Sequence, residues 1–367
     1  MMGETSGHRH VFVALDGLRG AAALAVVALH SANLLGAHNL GAAGAAVDVF
    51  FIMSGIVIAH AYEHRLLGGM SVARFAWIRL VRLYPLYFFA TAAFCTLAAG
   101  ALVAGVALEK WDVTALSMAA MAALLALPHK AHGANALYPL NGPAWSLPLE
   151  FGANLIYAAL VAHCTQLRLA LTSAAGLLGL LVLTAFGFDP LNGSEWPTWP
   201  VGVARIAFGF PLGVLMYHRL RSRAAFGSRP TAGIAVLLLF LTILLAPGPS
   251  AFFTTAYHLV MIAVVAPLVV WLAATGRVTG RTGTRVCLFL GLISYPVYLL
   301  HILVMSVVAG AARAAGLDLA PLVPWPGLLV FAIVIPTAAI VARWVDQPVR
   351  SWLLRVTAQR KPAGRDD

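Results

Sequence analysis

Long apolar runs dominate this sequence and restrict how the chain can fold. A bilayer core about 30 Å thick needs about 20 residues of helix per crossing. The runs considered as crossings are 14–35, 42–62, 84–107, 113–127, 149–163, 169–188, 200–218, 231–246, 252–274, 288–310 and 325–345. Hydrophobic residues make up 61% of the chain and charged residues 10%, whereas soluble domains have about 25% charged residues. The sequence therefore excludes an ordinary soluble enzyme and predicts an all-α, polytopic integral membrane protein.

Arginine is unevenly distributed among the connections between these runs. The Arg-rich connections are 63–83, 219–229, 277–285 and the segment that begins at Arg343. By contrast, 36–41 and 189–199 contain no Lys or Arg. Because Arg-rich connections face the cytoplasm under the positive-inside rule, both termini are predicted to be cytoplasmic.

Two cytoplasmic termini require an even number of crossings, so one of the runs cannot span. The short, Ala-rich segment 113–127 is predicted to be re-entrant or external, which leaves ten crossings. Irregular backbone is tolerated at membrane depth only where it lines a cavity or is covered by protein, so 108–148 is expected to cover a site on the outer side. The predicted organisation is a cytoplasmic N-terminal segment (1–13), a membrane domain (14–345) and a cytoplasmic C-terminal tail (346–367).

Several common kinds of site are not indicated. The formal net charge is +11, but the basic residues lie in short runs between apolar stretches and do not form the single basic face of a nucleic-acid binder. Cys95, Cys164 and Cys287 are far apart and offer neither a disulfide framework nor a CxxC site. His8 and His10 alone are too short a signal to predict a metal site. We expect no bound metal and no permanently bound cofactor.

Two ionisable residues are predicted in the outer half of the membrane. His30 lies eleven residues after Arg19 in the first crossing, about 16 Å further along a helix. Asp48 enters the second crossing at a similar depth. His30 indicates either a functional site or a hydrogen bond that stabilises helix packing. Asp48 either orients the His30 imidazole or caps a helix N-terminus.

Arg79 and Arg82 are three residues apart on one predicted helical face at the cytoplasmic side. Guanidinium groups clustered at the cytoplasmic membrane surface can bind a phosphorylated ligand. They also suit topology and contact with anionic lipid, and the sequence leaves both interpretations open.

The segment NGPAWSLPLE places Trp145, Ser146 and Glu150 at the outer start of a predicted helix. Glu150 is either a charge that favours the helix dipole or part of a lip that binds an acceptor. In SYPVYLLH, Tyr298 and His301 lie one turn apart. His301 lies at a depth similar to that of His30. It either forms a hydrogen bond that stabilises helix packing or belongs to the functional site.

These segments, taken in order, resemble the motifs of the bacterial acyltransferase 3 family of polytopic membrane acyltransferases. The matching segments are LDGLRGAAALAVVALH, VDVFFIMSG, RLVR, WSLPLE and SYPVYLLH, so the resemblance runs almost end to end. The family usually shows a second acid directly after the Glu, but this chain has Phe151, so only Glu150 carries over. Some members append an extracytoplasmic esterase-like domain, whereas a stand-alone membrane domain is expected here.

The resemblance implies transfer of an acyl group, usually acetyl from acetyl-CoA, to a hydroxyl. The expected acceptor is a cell-surface or exported carbohydrate, such as a lipid-linked exopolysaccharide or lipopolysaccharide unit; some branches acylate a small natural product. We expect an O-acetyltransferase of the bacterial cytoplasmic (inner) membrane. Its expected partners are the lipid bilayer, acyl-CoA as donor substrate and a carbohydrate acceptor, with no nucleic acid.

The matched motifs also supply the expected site residues. The catalytic group is His30, Glu150 and Asp48; the donor-binding group is Arg19, Arg79 and Arg82; the substrate-binding group is Trp145, Ser146, Tyr298 and His301. His30 is the candidate base because a neutral histidine suits proton abstraction from the attacking hydroxyl.

Two other classes of function stay open. In a transporter or channel, His30, Asp48, Arg205 and His301 would form a proton or substrate relay, and a ligand would move without consumption of a thioester. In a structural or partner-binding subunit, a change at His30 would alter stability or assembly without removing a reaction. Arg205, within the seventh crossing, is expected to face the bundle interior, and the sequence gives it no specific role.

Overall fold

The computed structural model describes residues 12–37, 40, 43–104, 112–130, 135–228, 240–241 and 251–359. Of these described residues 82% are helical, and none lies in a strand. The main helices are α1 (Val13–His30), α2 (Ala46–Leu67), α3 (Val72–Val103), α4 (Val113–Leu124), α5 (Ser146–Leu160), α6 (Gln166–Ala185), α7 (Trp199–Ser222), α8 (Ala251–Val260), α9 (Ala266–Thr275), α10 (Arg281–Ala314), α11 (Trp325–Val341) and α12 (Gln347–Gln359). Two π-helical segments, Met261–Val265 and Ala342–Asp346, join α8 to α9 and α11 to α12.

Nine helical segments within the described ranges are long and apolar enough to cross a membrane. They confirm the predicted all-α, polytopic membrane fold. The helix α4, with 12 residues, extends only about 18 Å, which fits the prediction that 113–127 does not span. The predicted crossing 231–246 lies outside the described residues except for Phe240 and Leu241, and so do 1–11 and 360–367.

Two helices extend beyond their predicted limits. The helix α3 begins at Val72 rather than near residue 84. The Ser71 hydroxyl caps it by accepting a hydrogen bond from the Arg74 backbone N–H at 3.3 Å. Residues 347–359, which the sequence places in the tail, form α12, and the Trp77 indole N–H donates to the Thr357 hydroxyl at 3.2 Å.

The helices α1 and α10 run parallel and form the most extensive helix pair in the described part of the chain. Arg19 contacts Gly291 and Ser294 near the start of both helices, and His30 contacts His301 further along. The two helices therefore begin at the same end of the bundle. We call it the arginine end because it carries Arg65, Arg74, Arg82, Arg168, Arg219, Arg221, Arg277, Arg281, Arg285 and Arg350.

The opposite end is poor in cations. Its described residues include Lys130 and Arg313, together with the buried Arg205 near the start of α7. This asymmetry matches the charge distribution from which the orientation was predicted.

Glycines allow α2 and α7 to cross closely. A Cβ atom on Gly55 would overlap the Phe210 carbonyl oxygen, and one on Gly213 would overlap the Ile52 carbonyl oxygen. Small residues at a crossing let helix backbones approach closely in a membrane. The contact fixes α2 beside α7, and these two helices carry the buried Asp48 and Arg205.

Candidate active site

A cavity of about 200 Å³ lies among α1, α2, α3, α5 and α10, and we call it the central cavity. Its polar lining consists of Arg19, Ser54, Arg79, Arg82, Ser146, Glu150, Ser294, Tyr295 and Tyr298. Six of the ten predicted site residues are therefore brought to one cavity: Arg19, Arg79, Arg82, Ser146, Glu150 and Tyr298.

Arg19 is fixed in the seam between α1 and α10. Its Nε donates to the Ser294 hydroxyl at 2.9 Å, and its Nη2 donates to the Gly291 carbonyl and to Asp16 Oδ1, each at 2.9 Å. Gly291 is required because a Cβ there would meet the Asp16 side chain. Within the described part of the chain, no group accepts from Nη1, so one edge of the guanidinium stays available to a ligand.

Glu150 lies deep in the cavity rather than on an external lip. Its Oε1 accepts a hydrogen bond from the Ser54 hydroxyl at 2.9 Å and from Arg79 Nη2 at 3.3 Å. The side chains of Arg79 and Glu150 are only 12% and 20% exposed, so the ion pair is largely removed from solvent. The helix α3 thus brings a cation from the arginine end to the carboxylate on α5.

Tyr298 and Ser146 close the cavity on the side toward the opposite end. The Tyr298 hydroxyl lies 2.7 Å from the Pro143 carbonyl and 2.7 Å from the Ser146 hydroxyl. Because a carbonyl can only accept, Tyr298 donates its proton to Pro143 and accepts the proton of Ser146. Two hydroxyl groups are therefore held together at the end of the cavity.

His30 and His301 form a pair just beyond Tyr298. The Nε2 of His301 lies 3.1 Å from the Nδ1 of His30, and the rings of Tyr298 and His301 are 6.4 Å apart between centroids. Each Nδ1 also faces a carbonyl: Val26 at 3.0 Å for His30, and Val297 at 3.1 Å for His301. His30 itself is exposed at the end of α1.

These contacts define the tautomers of the pair when both rings are neutral. A carbonyl accepts only, so the proton sits on Nδ1 in both rings. The Nε2 of His301 then accepts from the Nδ1–H of His30. The Nε2 of His30 keeps its lone pair and has no partner among the described residues. It is therefore the ring nitrogen of the pair that is free to accept a proton.

Asp48 does not orient His30, so that predicted pairing is wrong. Both of its carboxylate oxygens accept from Arg205, from Nε at 3.1 Å and from Nη2 at 2.7 Å, and both side chains are fully buried. The remaining donors of Arg205 bind the carbonyls of Leu191, Asn192 and Gly44 at 2.6 to 2.9 Å. Every N–H group of the guanidinium is satisfied, so this cluster ties α2, α7 and the loop near 190 together. Arg205 faces the interior, as predicted.

Trp145 belongs to the same buried cluster and does not line the central cavity. The Arg205 guanidinium lies 5.7 Å from its ring centroid, and Phe51 packs edge-on against it at 6.4 Å. The predicted acceptor lip is absent at this residue because the indole supports Arg205 from within the bundle.

The comparisons with known proteins fit this architecture. The acyltransferase 3 family, described as an acyltransferase domain, matches residues 12–342, which include the whole central cavity and the histidine pair. The chain belongs to this family. It is similar to "Protein 2 in picA locus" of Rhizobium radiobacter, with 35% identity over 187 residues that cover 47% of this chain and 95% of that protein. No solved structure matches.

Two polar residues of the acyltransferase site were missed as individual candidates. Ser54 binds Glu150, and Ser294 binds Arg19. Both are the serines of quoted motifs, VDVFFIMSG and SYPVYLLH, so the motifs themselves carried the signal.

The acyltransferase also has a charged cluster at its arginine end. Asp346 Oδ2 lies 3.0 Å from Arg350 and 3.9 Å from Arg82. Across the described ranges, no three His, Cys, Asp or Glu residues converge in a way that would hold a metal ion.

Proposed function

We propose that this acyltransferase moves an acetyl or other short acyl group from acyl-CoA to a hydroxyl of a cell-surface or exported carbohydrate. One observation carries the proposal: three guanidinium groups and two hydroxyl groups line the central cavity, and the Tyr298 ring lies 6.4 Å from the ring of His301, which contacts His30. A donor and an acceptor would thus reach one reaction centre from opposite ends.

The donor enters at the arginine end, which the positive-inside rule assigns to the cytoplasm. Acyl-CoA carries its negative charge on phosphates, and Arg binds phosphate through two parallel hydrogen bonds. Arg19, Arg79 and Arg82 hold these phosphates, while the thin pantetheine arm extends along the cavity toward Tyr298. In this proposed orientation both termini lie in the cytoplasm, and the membrane is the bacterial inner membrane.

The reaction needs a base and a stabilised tetrahedral intermediate. The Nε2 of His30 takes the proton of the acceptor hydroxyl as its oxygen attacks the thioester carbonyl carbon. The C–S bond then breaks, and the CoA thiolate leaves and receives that proton from His30. The products are an ester and free CoA, so atoms and charge balance.

Ser146 and Tyr298 supply hydrogen bonds to the developing oxyanion once their O–H groups turn away from their resting acceptors, Tyr298 and the Pro143 carbonyl. Their oxygen atoms already lie together at the cavity end, and hydroxyl donors are most effective where water is excluded. His301 is a positioning residue, since it accepts from the Nδ1–H of His30 and holds the basic Nε2 toward the acceptor.

A transport relay is less well supported by the contacts. Such a relay would join His30 and His301 to Asp48 and Arg205, but the latter two satisfy each other in a separate buried cluster. The acceptor side is open at His30, which is exposed, and a carbohydrate with many hydroxyl groups fits an approach from that end.

The test uses inside-out membrane vesicles with radiolabelled acetyl-CoA and the envelope glycans of the host. Native protein is compared with His30→Ala at equal abundance and with His163→Ala, an exposed histidine outside the site, as the matched control. Label is expected in a glycan fraction with native protein and the control only. Label in a small natural product would assign that compound as the acceptor instead of a carbohydrate. Uptake of a ligand without consumption of the thioester would overturn the proposal of acyl transfer.

A further inference from the structure

A second cavity, of about 330 Å³, adjoins the central cavity, and we call it the side cavity. It lies among α3, the end of α4, α5 and α10. Its lining includes Tyr84, Tyr87, Tyr138, Phe151 and Gly152. Leu83, Leu147 and Tyr295 line both cavities, so these side chains form a boundary that the two spaces share.

The side cavity is apolar despite its four tyrosines. The hydroxyl of Tyr84 donates to the Leu124 carbonyl at 2.6 Å, and that of Tyr138 donates to the Ala126 carbonyl at 2.9 Å. The hydroxyls of Tyr87 and Tyr295 likewise donate to backbone carbonyls, those of Ala123 and Leu83. Because these polar atoms already have partners, the rings offer the cavity their apolar surfaces.

Phe151 adds a feature particular to this chain. It occupies the position after Glu150, where the resemblance leads one to expect a second acid, and it lines the side cavity. An ionised carboxylate in this lining would be costly without a partner. The neighbouring Gly152 leaves more room, since a Cβ atom there would meet nothing within 4 Å.

We propose that the side cavity binds the aliphatic part of the donor and that this enzyme prefers an acyl chain longer than acetyl. The proposal rests on the proposed function. The shared boundary includes Leu147, directly after Ser146, and Tyr295, one turn before Tyr298. With the thioester carbonyl beside the Ser146 and Tyr298 hydroxyls, a longer acyl chain would pass between these side chains into the side cavity, whereas a two-carbon acetyl group would stay in the central cavity.

The test is a competition assay in which the enzyme receives acetyl-, butyryl- and hexanoyl-CoA together. The acylated products are quantified by mass spectrometry. Native protein is expected to favour longer chains by about fourfold in kcat/KM for each added methylene that the cavity buries. The variant Gly152→Leu fills the side cavity and is expected to lower the hexanoyl-to-acetyl ratio about tenfold. Phe151→Asp is expected to lower the same ratio.

The matched control is Gly100→Leu, an exposed glycine of α3 where a Cβ atom also meets nothing within 4 Å. Its product ratio should equal that of native protein. Equal use of all three donors by native protein would overturn the inference while leaving acyl transfer intact. A Gly152→Leu variant that loses only a lipid-linked acceptor would assign the cavity to that lipid instead. If native protein consumed none of the three acyl-CoA donors, the proposed function would be contradicted as well.

Discussion

The Nε2 of His301 lies 3.1 Å from the Nδ1 of His30, and this contact joins α10 to α1. In the proposed reaction His301, rather than the predicted Asp48, orients the candidate base His30. A neutral imidazole adds no charge, so the pair avoids the cost of burying an ion near the membrane interior. The orienting group therefore fixes a tautomer without raising the charge of the site.

Removal of His30 tests the base directly. His30→Ala is expected to lower kcat for acyl transfer by about 10² to 10⁴, the range for loss of a general base. His301→Phe, which keeps a ring but loses the acceptor atom, is expected to lower kcat less. The pH profile of the His301 variant should also shift, since its His30 has lost a partner. Unchanged pH profiles and rates in both variants would contradict the assignment.

Arg79 is predicted to act mainly in donor binding. Arg79→Ala is expected to raise the KM for acyl-CoA about 10- to 100-fold, because a hydrogen bond to a charged group contributes about 1.5 to 3 kcal/mol. Steady-state kinetics over a range of acyl-CoA concentrations measure it. Arg168→Ala, at the same end but outside the cavity, is the control and should keep the native KM. A lowered kcat at constant KM would instead place Arg79 in the chemical step.

Ser146 and Tyr298 are predicted to act in the transition state. Ser146→Ala and Tyr298→Phe should each reduce kcat about 10- to 1000-fold, as for an oxyanion donor. The KM for acyl-CoA should change little. Ser173→Ala, a buried serine that binds the Phe208 carbonyl outside the cavity, controls for a general effect on packing. Equal losses in all three variants would indicate a structural role.

The buried pair of Asp48 and Arg205 is predicted to serve stability. Asp48→Ala leaves a buried guanidinium without its counterion and should lower the free energy of unfolding by about 3 to 5 kcal/mol. Thermal unfolding in detergent, followed by tryptophan fluorescence, measures the change. The fraction of Asp48→Asn that remains folded should keep acyl transfer. A folded but inactive Asp48→Asn would restore the catalytic role that the sequence suggested.

The sequence predicts the membrane-crossing helices well because a bilayer of fixed thickness requires apolar runs of a definite length. The depths of His30 and His301 follow from the rise of a helix, and their contact is in keeping with the similar depths expected. The partner of Asp48 does not follow from depth. It depends on which helix packs beside α2, and that is decided by Gly55 and Gly213.

Arg79 and Glu150 show the same limit. The sequence predicts them on opposite sides of the membrane, because the Arg-rich segment 63–83 indicates a cytoplasmic connection. The structure continues it as helix, with Phe75 and Val81 buried between the arginines. The side cavity likewise does not follow from the sequence, since its walls come from three helices, the two residues after α4 and the loop at Tyr138, and only Phe151 marks it.

The parallel packing of α1 and α10 also bears on biosynthesis. His30 and His301 are separated by 271 positions, so the ribosome must deliver most of the polypeptide before the first helix meets its neighbour. Until then α1 waits in the bilayer with Arg19 lacking Gly291 and Ser294. A chain that ends before residue 291 lacks these partners, and we expect it to have no acyltransferase activity.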